Sequence, residues 1–453
     1  MSTTLFWFRN DLRLHDQPAL HAACSGDTRQ LVPVCCLPDT DEISPWGFAR
    51  FGPHRRAWLA GALRDLGLQL DRLNCPLLVC AGPAATTLPL VARAVGARAV
   101  VCEDIAAPYE QAEVEALRAA GLSVRTVWQS SLLDPSSLPW EPQALPAVFT
   151  SFRQAVERAQ LNPPEPLPPP SNLPPWPADV EIPPHLRSAP SLLDLPYRPA
   201  DARSSFPFGR AGQHDGESDD CGPDAGGIDG HGLDGGETSG LAHLACYLER
   251  RLPDSYKRTR DGLTGIDYSS KWSPWLATGA LSARRILSEL RQYEATHGAS
   301  DGSYWLWFEL LWRDYFRFLH LQHGRRLYRA RGLGRNPNPP HDAQAFERWR
   351  QARTGVPLVD AAMRELAATG FLSNRLRQVV ASHLVHELGG DWRAGAAWFE
   401  SCLVDYDVYS NQGNWLYIAG RGSDPRGGRR FNVDRQMTQH DPDGVYRRLW
   451  GAA

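Results

Sequence analysis

Between Asp405 and Gly420 the chain reads DYDVYSNQGNWLYIAG, two carboxylates, several amides and four aromatic rings with no His, Cys or Lys among them. The stretch therefore lacks the base, nucleophile or metal ligand that His, Cys or Lys would provide. The simplest account is a loop whose Asp and Asn side chains satisfy its own backbone over packed rings. Two helical patterns offer polar groups of the same kind. In SYWLWFELLWRDYF, Glu309, Trp312, Arg313 and Phe316 recur at helical spacing and share one face. In FLSNRLRQVVASHL, Asn374, Arg377 and Gln378 do the same, turning two amides and a guanidinium toward a common space. A surface ion pair beside packed rings would explain the first stripe alone. A cavity lined from both helices would explain the two together.

Other motifs carry less. His383, His386 and Glu387 stand in the order H-x-x-H-E, which is not the zinc-protease order H-E-x-x-H, and read as a helix-surface pair. There is no G-x-S-x-G and no G-x-x-x-x-G-K, and the first apolar run is not followed by G-x-G-x-x-G. YKRTRDG, residues 256–262, is a basic cluster with one ring, which suits either phosphate contact or a solvated helix end.

Nine cysteines without a C-x-x-C pair argue for a reducing compartment and against a zinc ribbon, so no metal is expected. The N-terminus is charged within ten residues and no apolar run reaches membrane-spanning length, so a cytoplasmic protein is expected. Charge is divided unevenly. Residues 1–240 carry 18 Lys and Arg against 29 Asp and Glu, whereas residues 241–453 carry 30 against 22 and ten of the sixteen Trp. Lys257 and Lys271 are the only lysines. Arginine among aromatic rings suits phosphates and stacked bases, although a GC-rich genome would also favour Arg over Lys.

The elements that must hold these residues fall into two patterns. TTLFWF, LVPVCCL, PLLVC, RAVVC and LSVRTVW read as strands too apolar for solvent on either face, with amphipathic helices between them. Alternation of this kind predicts an α/β domain with a doubly wound parallel sheet over residues 1–130. Residues 131–235 comprise a proline-crowded connector, expected to be neither helix nor central strand, and an Asp/Gly-rich stretch, 209–236, that reads as a mobile loop. GGIDGHGLDGG within it faintly matches calcium-binding glycine repeats, but a single irregular copy is better read as an insertion. From residue 236 to 453 apolar residues recur at helical spacing, predicting an all-α domain.

FWFRNDLRLHDQPAL, FGPHRRAWL, YKRTRDGLTGIDYSSKWSPWLATGALSARRI, FELLWRDYFRF, TGVPLVDAAMRELAATGFLSNRLRQVVAS, DWRAGAAWFESCLVDYD and SNQGNWLYIAG together resemble the photolyase/cryptochrome family. GGETSG, DYSSKWSPWL, Gln378 after Arg377, and Tyr417 in NWLY are most similar to its DASH cryptochromes. The resemblance implies a helical domain that holds a bent FAD and performs light-driven electron transfer, so that side chains tune a redox cofactor. It implies Tyr256, Ser269, Ser270, Trp272 and Ser273 at the FAD diphosphate and nearby sugar, with Arg313 and Asn374 also approaching the cofactor. Arg377 should pair with Asp405 beside the isoalloxazine, Asp407 should face the flavin edge, and Asn411 should face N5. Trp415 and Trp392 match the first two members of a tryptophan chain. The third is expected near 339–341, where this sequence has Pro339, Pro340 and His341, leaving Trp349 or a tyrosine as substitutes.

The same resemblance implies that Trp312 and Tyr417 clasp an extruded pyrimidine dimer, that Glu309 and Asn374 hydrogen-bond its bases, that Gln378 touches it, and that Arg260 meets a phosphate. It further implies a folate antenna, 5,10-methenyltetrahydrofolate, held by an acidic residue in IAAPYE, 105–110, that the sequence alone does not single out. The expectation is therefore a monomeric, cytoplasmic flavoprotein that repairs cyclobutane pyrimidine dimers, preferentially in single-stranded DNA. A blue-light photoreceptor binding DNA or a protein partner, and a duplex-active photolyase, remain open alternatives.

Overall fold

A computed structural model describes residues 2–37, 41–141, 144–178, 180–187, 201, 203–208 and 234–451. The Asp/Gly-rich stretch therefore lies outside the described residues except for Asp234 to Gly236, as do residues 188–200 of the proline-rich segment. Strands β1 (Ser2–Phe8), β2 (Thr28–Cys36), β3 (Leu78–Cys80), β4 (Ala99–Glu103) and β5 (Ser123–Val127) form one parallel sheet in the order β3-β2-β1-β4-β5. Every apolar run predicted to be a strand is one. Central β1 is buried from Thr3 to Phe8, as continuous apolar runs in a two-sided sheet require. The edge strand β5 departs from expectation: Ser123 and Arg125 are exposed, because only one neighbour covers it.

Helices α1 (Pro18–Ala23), α2 (Pro53–Arg72), α3 (Ala84–Val95) and α4 (Pro108–Ala119) belong to this region. Three begin with proline in the first turn, where the missing N–H has no intrahelical partner to lose. The strand order reverses between β1 and β4, which opens a crevice at the carboxyl ends of the strands.

Helix α5 (Phe149–Arg158) corrects the expectation for the connector. No proline lies between Pro146 and Pro163, and Phe149, Phe152 and Val156 at helical spacing give this stretch a buried stripe. Composition averaged over the whole segment hid it.

The remaining helices are α6 (Glu237–Glu249), α7 (Tyr256–Thr259), α8 (Ser273–Thr278), α9 (Ala283–His297), α10 (Asp301–His323), α11 (Ala343–Arg350), α12 (Pro357–Thr369), α13 (Asn374–Ser382), α14 (Trp392–Cys402), α15 (Val408–Ala419), α16 (Val433–His440) and α17 (Val445–Leu449). Among the described residues no helix is long and apolar enough to cross a membrane.

Two features fix the helical region against the sheet. The turn after β1 is buried: Leu12 N donates to Thr278 O at 3.1 Å, Arg13 Nη1 to Gly279 O at 2.8 Å, and the His15 ring meets Glu237 Oε1 at 2.5 Å. Gly279 has φ +69°, and a Cβ there would fall 1.9 Å from Asn10 O, so only glycine admits this approach. Helices α10 and α15 pack so closely that a Cβ on Gly413 would lie 2.1 Å from the Phe316 ring. That pair carries Glu309, Trp312, Arg313, Asn411, Trp415 and Tyr417.

Candidate functional site

Helix α13 begins at Asn374, capped by Ser373 Oγ, which accepts from Leu376 N at 3.3 Å. Its first two turns therefore present Asn374, Arg377 and Gln378 side by side, and with Asp405, Asp407, Asn411 and Trp415 they line a cavity of about 100 Å³. Asp405 is the node. Its Oδ2 accepts from Arg377 Nη2 at 2.8 Å and from Ser273 Oγ at 2.7 Å, joining α13 to the start of α8. Arg377 is held in turn by Nε donation to Leu372 O at 2.8 Å. The Asp405 side chain is 2% exposed, yet its Oδ1 has no hydrogen-bond partner in the protein. A buried carboxylate oxygen left open is costly unless a further donor meets it, which fits a bound polar group in this cavity.

Asp407 caps α15, accepting from Ser410 N at 2.7 Å, and pairs with Arg317 Nη2 at 2.6 Å. Burial disfavours its charge, but Arg317 and Arg313 outweigh that and hold its pKa well below the ordinary carboxylate range. Asn411, one turn on, donates from Nδ2 to Ala396 O at 3.1 Å, an arrangement that leaves its carbonyl oxygen as the free acceptor.

Arg313 does not line this cavity. Its guanidinium donates to Ser130 O and to Leu276 O, clamping the end of α8 to the chain after β5, and burial pushes its pKa down to about 9. Tyr256, Ser269, Ser270 and Trp272 likewise lie outside it. Ser269 and Ser270 are half-buried, Ser270 O accepts from the His243 ring at 2.8 Å, and buried Trp272 keeps an unpartnered Nε1.

A second group gathers on α7 and α10. Arg260 is ion-paired with Glu309, and its guanidinium sits 4.7 Å over the Trp305 ring. Burial raises the Glu309 pKa while Arg260 pulls it back; burial, with Glu309 adding, also raises the Tyr256 phenol. Trp312 and Tyr417, from α10 and α15, face each other with ring centroids 6.1 Å apart at 60°. Tyr417 Oη accepts from Arg429 Nε at 2.7 Å. Phe149 of α5, whose pairing no spacing pattern singles out, stacks on Trp312 at 3.8 Å and 11°.

Trp415 is buried, with Phe399 at 5.2 Å and Trp349 at 6.4 Å. From Trp349 rings continue through Phe346 (5.8 Å) and His341 (5.6 Å) to half-buried Trp46 (4.8 Å). Trp392 is buried and donates from Nε1 to Ala330 O at 3.0 Å, and is not among these ring contacts. His383, expected on a helix surface, is buried in a π-turn, and His386 bonds Ile418 O at 3.0 Å. The helical pattern breaks after Ser382, which turns His383 inward. Among the described residues no cluster of three or more His, Cys, Asp or Glu could hold a metal.

A larger cavity, about 400 Å³, lies in the crevice at the ends of β1 and β2, lined by Arg9, Asn10, Cys36 and Trp58 from one side and Thr278, Glu400 and Tyr406 from the other. Tyr109, Glu110 and Glu113 of α4 complete it. Glu110 Oε2 is buried without a partner, and burial raises the Glu110 pKa.

Comparison with known proteins bears on both cavities. Residues 4–171 match the family described as DNA photolyase, and residues 305–452 match the FAD binding domain of DNA photolyase. The chain is 43% identical to Cryptochrome DASH of Gloeobacter violaceus, across 99% of this chain and 85% of that protein. It is 40% identical to Cryptochrome DASH of Xenopus laevis, across 98% and 81%. Among solved structures, the Synechocystis cryptochrome superposes with a TM-score of 0.87 at 40% identity, across 99% of this chain and 88% of the other. A class III photolyase from Agrobacterium tumefaciens superposes at 0.75 and 28% identity, across 99% and 86%.

Proposed function

This chain belongs to the DNA photolyase and cryptochrome family, within it to the DASH cryptochromes, and on that premise we propose that it repairs cyclobutane pyrimidine dimers in light, preferentially in single strands. The supporting observation is the open carboxylate oxygen of Asp405, a residue held by Arg377 and by Ser273 from outside the cavity, at a space that Arg377, Asn374, Gln378, Asp407 and Asn411 also line. FAD whose flavin ring alone entered this cavity, the rest of the cofactor lying outside it, would supply the photochemistry by lending an electron to the dimer and recovering it. Arg377, fixed by Asp405, provides positive charge that favours an anionic reduced flavin. Asn411 offers an acceptor and has no acidic proton to release. Ser269 and Ser270, just before α8, would serve the diphosphate with hydroxyls and backbone N–H groups, and Ser273, whose hydroxyl is committed to Asp405, with its backbone N–H. Arg313 acts one step away, holding α8 in place.

On the substrate side Trp312 and Tyr417 clasp the dimer, Glu309 and Asn374 bond its bases, and Gln378 contacts it. Glu309 exchanges Arg260 for the dimer as Arg260 takes a phosphate. Extracting two linked bases from a duplex costs a few kcal/mol of unpairing and unstacking that a single strand largely avoids. Tyr417 and Gln378 stand where duplex-active relatives carry Trp and Met, and grip less strongly. Electrons reach the site through Trp415, with buried Trp349 as the next ring and half-buried Trp46, beyond Phe346 and His341, as the outward one.

Glu110 is our choice for the folate contact: an open, buried carboxyl oxygen at a 400 Å³ cavity suits a donor edge of a pteridine. The overall test is light-dependent restoration of thymines by the FAD-loaded protein acting alone, as a cytoplasmic monomer would.

A further inference from the structure

Beside the Trp312–Tyr417 pair lies another opening. Between α10 and α15 a cavity of about 160 Å³ is walled by Phe149, Trp312, Phe316 and Tyr417 and rimmed by Arg426 and Arg429. It shares Trp312 and Tyr417 with the dimer clasp, but Glu309, Asn374, Arg377 and Gln378 do not line it, so it is distinct from the space those residues surround. Its walls are flat. Trp312 meets Phe149 at 3.8 Å, Phe316 at 5.5 Å and Tyr417 at 6.1 Å. Asp424, also at the rim, is ion-paired with Arg426 at 2.6 Å and feels Arg429 as well, so the two arginines leave a net positive charge at the mouth, and the side-chain bond of Arg429 goes to a neutral phenol.

We infer that this cavity takes one nucleobase of single-stranded DNA, the neighbour of the dimer on the same strand, with the connecting phosphate at Arg429. The choice of neighbour rests on the repair reading above; the chemistry of the cavity does not. A space this small, below the roughly 300 Å³ usual for drug-sized ligands, suits one heterocycle. Aromatic walls accept any base face, and a guanidinium at the mouth complements the phosphate that every base carries with it. A base held in a duplex is paired and stacked on its neighbours and cannot enter. The cavity therefore adds affinity for single strands alone, a positive reason for strand preference beside the weaker grip of Tyr417 and Gln378.

The experiment uses fluorescence anisotropy with FAD-loaded full-length protein and an oligothymidylate carrying one central dimer, its flanking bases intact or replaced singly by abasic sites. Base–aromatic stacking is worth about 1–3 kcal/mol per base, so one of the two abasic strands should bind about tenfold more weakly than the intact strand. Ala147→Leu and Thr150→Leu, both exposed at the mouth, should bring the intact strand down to the abasic level. Arg429→Gln should lower the slope of log affinity against log salt by about 0.7, one phosphate contact. Equal binding of intact and abasic strands, or a full abasic penalty persisting in both leucine variants, overturns the inference. Dimer splitting is scored on the same samples. Splitting without flank dependence removes the subsite and keeps the repair reading, and flank dependence without splitting does the reverse.

Discussion

Replacing Asp405 by Asn keeps its shape but removes the charge that Arg377 and Ser273 both address, at 2.8 and 2.7 Å. The Asp405 side chain is 2% exposed and that of Arg377 23%, so water replaces little of what is lost. A hydrogen bond to a charged group contributes about 1.5–3 kcal/mol, and removing one member of a buried pair costs about 3–5 kcal/mol. Because Arg377 is about a quarter open, the lower figure applies to folding. For the flavin, the loss of a fixed Arg377 corresponds to about 10- to 100-fold weaker binding. The assay is fluorescence titration of FAD into apo-protein for the parent, Asp405→Asn, Arg377→Met and the double variant. The two single losses should not add, with a coupling of about 1–3 kcal/mol, since each variant already breaks the same contact. Parental FAD affinity in Asp405→Asn, or two losses that simply add, would refute the role given to this node.

Trp415→Phe should slow photoreduction of oxidised FAD with binding unchanged, and Trp349→Phe should slow it more than Trp392→Phe; the opposite ranking by transient absorption would assign the route to Trp392. Burial, with Asp11 adding, pushes Glu103 up to about 8, so the folded protein retains a proton that the unfolded chain releases near pH 4.5. Stability should therefore fall as pH rises from about 4.5 to 8, and Glu103→Gln should flatten that slope in denaturant titrations; parallel curves would deny it. Tyr417→Trp combined with Gln378→Met should narrow the gap between single-strand and duplex repair, and a widened gap would show that these positions do not limit duplex use.

The sheet was legible because strands buried on both faces must hold continuous apolar runs, as β1 does over Leu5 to Phe8, β2 over Leu31 to Cys36 and β4 over Ala99 to Cys102. Helix α5 was not, since the proline-free window between Pro146 and Pro163 that holds it was averaged with its neighbours. Helical spacing alone put Asn374, Arg377 and Gln378 on one face, and Glu309 with Trp312 on another. What spacing cannot reveal is pairing between distant segments. Ser273 with Asp405, Arg317 with Asp407 and Phe149 with Trp312 leave no local signal, because each partner looks ordinary in its own helix. Arg313 shows the converse: spacing puts it on one face of α10 with Glu309, Trp312 and Phe316, but the backbone carbonyls that claim its guanidinium belong to segments far away in the chain. Glu110 became distinct from its acidic neighbours only when its unpartnered oxygen was seen in the crevice.

Reduced, FAD-loaded protein illuminated with dimer-containing oligonucleotides, single-stranded and duplex at equal salt, reports directly on repair through the thymines restored per unit time. The expected result is light-dependent restoration in both, faster and at lower protein concentration in the single strand, and lowered on both by Glu309→Ala. Equal rates on the two substrates would contradict the strand preference. No restoration on either, by protein that retains its flavin, would contradict repair itself and make this chain a light-responsive binder.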